Sequence, residues 1–145
     1  MIDPYDTAQV RAVWQRVRAA RPNPISAEDF LLEAASLELE RSCRCRALAR
    51  QMPQLQFLAD RLQCNSRILS QMHRKRSGKM PRLYPAVARE KLPLAHAMQQ
   101  LKEELRSAAE HYDRMAQSSP ELATSLQQLA RENRALSRRI PCGKP

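Results

Sequence analysis

The sequence predicts an all-α protein. Its expected form is an antiparallel four-helix bundle made of two helical hairpins, with a long crossover between helices two and three and a short helix ahead of them. Three observations carry this. Glycine and aromatic residues are scarce, with two Gly, two Phe, three Tyr and one Trp, whereas strands draw on β-branched and aromatic residues and hairpin turns on glycine. Apolar residues recur at alternating three- and four-residue steps, the signature of one helix face. The ten prolines fall between these periodic runs, in their first turn, or near the amino end, so they punctuate helices rather than interrupt them.

Each element has its own signal. Residues 7–21 place Val10, Val13, Trp14 and Val17 on one face and Arg11, Arg16 and Arg18 mainly on the other, which predicts a short accessory helix packed through Trp14. RPNP then breaks the chain. Ser26, followed three residues later by Asp29, reads as a helix N-cap, and the first long helix is expected over 26–52, ended by Pro53. The second is expected over 54–76. Residues 77–92, with Gly78 and several prolines, form the crossover. The third helix is expected over 93–117. Ser119-Pro120-Glu121 reads as an N-cap with proline at the first helical position, opening a fourth helix over 120–140. The short links within each pair make two antiparallel hairpins, and residues 1–145 are expected to form one domain.

The composition bounds the setting. The start, MIDPYD, lacks the apolar stretch of a signal peptide, and no run approaches the ~20 apolar residues that span a bilayer. The sequence therefore predicts a cytoplasmic protein without a membrane partner, its four cysteines reduced. Twenty-five Lys and Arg against fifteen Asp and Glu give a net charge of +10. Such a charge serves either an anionic partner or plain solubility.

The seams contain the informative irregularities. The second helix presents Leu55, Leu58, Leu62, Asn65, Leu69 and Met72, and the fourth Leu122, Leu126, Leu129, Asn133, Leu136 and Ile140. The third offers Leu94, Met98, Leu101, Leu105, Ala108, Tyr112 and Met115; the first offers Leu31, Ala35, Glu38, Ser42, Cys45, Ala49 and Met52. Glu38, Asn65 and Asn133 break an otherwise apolar core, with softer polarity at Ser42, Cys45 and Tyr112. The hairpins also echo one another. CRALARQMP and YDRMAQSSP end helices one and three, and LADRLQCNSRIL and LARENRALSRRI lie on their partners, with about one extra helical turn in the second copy. This points to internal duplication.

Over roughly residues 27–140 the pattern resembles the rubrerythrin branch of the ferritin-like superfamily. In that family helices one and three each supply a metal-binding Glu two turns before an aromatic residue, and helices two and four each supply Glu-x-x-His after a Leu-Ala pair. Residues at i and i+3 share a face, and carboxylates bridge two metal ions. The resemblance places Glu38 at the ligand position of helix one, Leu62 and Asn65 at those of helix two, Leu105 at that of helix three, and Asn133 and Leu136 at those of helix four. Cys45 and Tyr112 take the aromatic positions. One ligand of six remains, so no metal or other cofactor is expected. Iron or manganese is the alternative if a site persists.

Three functional readings follow. The first is a noncatalytic, ferritin-like bundle with a degenerate metal site, acting as a scaffold or interaction protein, as a homodimer or with another protein. Asn65 and Asn133 are then expected to donate to a buried Glu38 across the core, with Tyr112 nearby; the alternative is Glu38 turned to solvent and asparagines bound to water. The second is an anion or nucleic-acid binder using Arg74, Lys75, Arg76, Lys79, Arg82, Arg89 and Lys91 of the crossover, although no nucleic-acid-binding motif accompanies them. The third is a rubrerythrin-like di-metal oxidoreductase or iron handler. A rotation of helix three would turn Glu104 and His111 inward, toward a mixed site with Glu38 and Cys45. Cys43, Cys45, Cys64 and Cys142 show no C-x-x-C spacing and read as structural thiols. His73 reads as solvated, and His96 lacks a ligand partner one turn away.

Overall fold

A computed structural model describes residues 26–83 and 93–141. The described residues are helical and contain no strand. The accessory helix expected over 7–21, most of the crossover and Cys142 lie outside them. Two compact units, residues 1–91 and 92–145, each contain one helical hairpin.

In the first unit, α1 spans Ala27–Leu48 and α2 spans Leu55–Ser77. Ser26 caps α1 as its sequence predicts, its hydroxyl accepting from the Asp29 amide at 3.1 Å, and Glu28 and Asp29 place negative charge at the positive end of the helix. α1 stops four residues short of the expected boundary. The amides of Gln51 and Met52 both donate to Leu48 O at 3.0 Å, and Leu55 N donates to Met52 O at 3.0 Å. The chain thus turns over residues 49–54 before α2 begins. Pro53 disfavours helical geometry at Met52, which makes the turn local. α2 ends at Gly78, whose φ of +83° is the left-handed conformation that closes a helix, with its amide on Arg74 O at 2.8 Å.

Leu31, Ala35, Leu55, Leu62 and Leu69 are completely buried, so the predicted seams are the ones packed. Two serines bind the helices directly. Ser42 Oγ donates to Ala59 O at 2.6 Å, and Ser66 Oγ donates to Ala35 O at 2.8 Å. At the rim, Arg46 meets Asp60 at 3.4 Å and Gln63 at 2.9 Å. α1 is buried more widely than its apolar stripe predicts, because Glu33, Glu40 and Arg41 are also buried. Glu33 and Glu40 stand two residues beyond Leu31 and Glu38, about 200° around the helix, so α1 is covered on more than one face. Arg44 supplies a counter-charge to Glu40 at 3.2 Å.

The second unit pairs α3, Leu94–Ser118, with α4, Ala123–Arg139, through a 3-10 turn at Pro120–Leu122. Its seam is continuous: Met98, Leu101, Leu105, Ala108, Tyr112 and Met115 face inward on α3, as do Leu126, Leu129, Asn133 and Leu136 on α4. Ser119 differs from its expected capping role. Its carbonyl accepts from Leu122 N at 2.9 Å, which tightens the entry into a 3-10 turn, while its buried hydroxyl turns back to Met115 Sδ at 3.5 Å. Proline at the first position still serves, since its absent N–H has no helical partner to miss.

Candidate functional site

Four polar side chains occupy the seams at or beside the positions of the resemblance. Glu38 is wholly buried in α1, which excludes the solvent-facing alternative. Its Oε2 receives Arg41 Nη1 at 3.3 Å. A carboxylate in such a place requires a counter-charge or a proton, and Arg41, one turn on along the same helix and itself buried, supplies the charge.

Asn65 in α2 is also buried, but the expected donation to Glu38 is not made. Its Nδ2 has no hydrogen-bond partner among the described residues. The carboxylate is instead engaged by the guanidinium from its own helix. A buried amide donor without an acceptor retains its desolvation cost, about 1–3 kcal/mol. Asn65→Leu is therefore expected to stabilise the protein by about that amount, read as a higher urea midpoint with an unchanged slope. A loss of stability would show that Asn65 has an acceptor in solution. In the second unit Asn133 is completely buried and Tyr112 nearly so.

The other positions of the resemblance hold packed hydrocarbon. Leu62 and Leu105 are completely buried and Leu136 is 3% exposed. α3 keeps Leu105 and Tyr112 inward, while Glu104 and His111 are only half-buried. The rotated register that would present Glu104 and His111 is therefore not adopted. Among the described residues, no group of three or more His, Cys, Asp and Glu side chains is placed to hold a metal ion. Cys43, Cys45 and Cys64 are free thiols, respectively half-buried, buried and exposed. Burial raises the Cys43 pKa; Arg46 opposes this and Glu40 adds to it, so its nucleophilic thiolate form is disfavoured.

The basic segment divides. Arg74, Lys75 and Arg76 occupy the last turn of α2 and are exposed, where positive charge also complements the helix terminus. Lys79 and Arg82 are exposed beyond it, whereas Arg89 and Lys91 lie outside the described residues. His73 is half-buried rather than fully solvated, with Nδ1 3.2 Å from Ser77 Oγ.

The serine contacts are the feature that the seams alone do not reveal. Ser66 reaches Ala35 O, and Ser137 reaches Lys102 O at 2.9 Å. Ser66 and Ser137 are the ninth residues of LADRLQCNSRIL and LARENRALSRRI, and Ala35 and Lys102 each stand ten residues before the paired positions Cys45 and Tyr112. The same hydroxyl-to-carbonyl clasp therefore joins equivalent points in both hairpins. That shared serine is the signal in the sequence. Compared with known proteins, the chain matches no family model, no curated protein and no solved structure.

Proposed function

We propose that the protein is a noncatalytic scaffold on a ferritin-like, rubrerythrin-type four-helix frame, in which hydrocarbon and an internal ion pair stand where a di-metal centre once stood. The Glu38–Arg41 pair carries this reading. In a di-metal site carboxylate charge is balanced by metal ions; here the one surviving ligand carboxylate is balanced by a guanidinium 3.3 Å away. Leucines at positions 62, 105 and 136 offer no donor atom and fill space as core side chains. The repeated serine clasp supports descent from a duplicated hairpin. Docking of a second copy or another protein is supported by α2, where Phe57 and Ile68 are 45% and 42% exposed and lie within about 20° on one helical stripe.

Elemental analysis tests the reading. Untagged protein, expressed with added iron and manganese and purified without chelator, is expected to carry far less than one transition-metal ion per chain. About two ions per chain, the content of a di-metal centre, would overturn it and favour the oxidoreductase or iron-handling alternative. Binding of anions or nucleic acid by the exposed Arg74, Lys75, Arg76, Lys79 and Arg82 is the second reading, supported by their exposure and sign of charge.

A further inference from the structure

The second hairpin holds a basic groove that neither the metal-site resemblance nor the crossover includes. It has a volume of about 290 Å³ and is lined by Lys102, Arg106, Glu110, Arg134, Ser137 and Arg138. Two like-charged pairs wall it. Lys102 and Arg106 stand one turn apart on α3, and Arg134 and Arg138 stand one turn apart on α4, a spacing at which like charges repel. The built-in counter-charges are insufficient. Asp113 takes Arg134 at 2.6 Å, and Glu110 lies 4.0 Å from Arg114. Lys102 donates to Ile140 O at 3.4 Å. Arg106 and Arg138 are exposed and make no hydrogen bond or ion pair among the described residues.

Arg106 and Arg138 therefore bring two positive charges to the groove that no described carboxylate answers. The two guanidiniums without partners come one from each helix, and the Ser137 clasp to Lys102 O fixes the register between those helices at this point. Guanidinium is planar and offers paired N–H donors that match phosphate oxygens. A phosphoryl group carries nearly two negative charges near neutral pH. The volume lies near the lower end of small-molecule sites, about 300 Å³, which favours a compact ligand over a polymer.

We propose that this groove binds the phosphoryl group of a small phosphorylated molecule, with Arg106 and Arg138 as its two clamps. The site is independent of whether the bundle once held metal, and it is distinct from the basic crossover.

Titration calorimetry of the full chain with inorganic pyrophosphate at low chloride tests the assignment. The wild type is expected to bind, with affinity falling as salt rises. R106Q/R138Q is expected to weaken binding by about tenfold or more, as the loss of charge-assisted hydrogen bonds requires. R50Q/R67Q, which removes two exposed cations of the first hairpin, is expected to bind like the wild type, and R74Q/K75Q is measured beside it to read any contribution of the basic segment. Removing unrelieved positive charge leaves the unfolding midpoint of R106Q/R138Q at or above that of the wild type, so lost binding is separable from lost folding. R106K retains the charge but loses the planar fork, and is expected to fall between the two. A nucleoside diphosphate that binds more tightly with the same dependence on Arg106 and Arg138 would identify a nucleotide as the source of the phosphate. Absence of pyrophosphate binding, equal binding by R106Q/R138Q, loss confined to R74Q/K75Q, or binding of single-stranded oligonucleotide alone would each overturn the assignment.

Discussion

Arg41→Met is expected to destabilise the protein by about 3–5 kcal/mol, the usual cost of breaking a buried ion pair from one side. Methionine preserves much of the length and apolar volume of the arginine stem, so the loss reports charge more than packing. Glu38 would remain wholly buried after losing the guanidinium at 3.3 Å. The double substitution E38L/R41M is expected to restore stability to the wild-type value or raise it by about 1–4 kcal/mol, because two desolvated charges give way to hydrocarbon. Urea unfolding of the wild type, both single variants and the double variant gives the coupling directly. If R41M loses less than about 1 kcal/mol, the pair behaves like an exposed salt bridge and the carboxylate is reached by water or another cation. The experiment bears on function because an ion pair that hydrocarbon can replace has a structural role, and Glu38 is the one ligand position of the proposed resemblance that carries a metal-binding residue type.

The seams of α2, α3 and α4 are legible in the sequence because a single face is buried and the residues on it are mostly Leu, Ala and Met at regular steps. α1 is not read so easily. Burial of Glu33, Glu40 and Arg41 reflects packing on more than one face, and a one-dimensional pattern registers those residues as solvated charge. The position of Glu38 follows from its place in the seam. Its partner does not, since Arg41 resembles any surface arginine until the packing around it is known. The sequence carries α1 past Leu48 because ALARQM has good helical propensity, whereas the chain turns over residues 49–54 around Pro53. The phosphate groove is the least legible feature. Lys102 and Arg106 belong to one helix and Arg134 and Arg138 to another, and only the antiparallel pairing of α3 with α4 brings their charges together.

Leu62→Ala and Leu105→Ala are each expected to destabilise the protein by about 2–5 kcal/mol, from lost burial and the cavity left behind. Both side chains are completely buried, and each comes from a different hairpin, at positions that the resemblance assigns to the two-metal site. Their double variant therefore measures more than packing. If the hairpins form the proposed four-helix frame, the two positions face a common centre and the cavities merge or collapse together. The double-variant cost should then depart from the sum of the single costs by more than about 0.5 kcal/mol, as for residues sharing a cavity. Additive costs would place Leu62 and Leu105 in separate cores, and the ferritin-like arrangement would have to be abandoned even though both hairpins remained intact. Single and double variants unfolded in urea under one set of conditions give this answer without any knowledge of a ligand, and it separates one shared four-helix core from two separate hairpin cores.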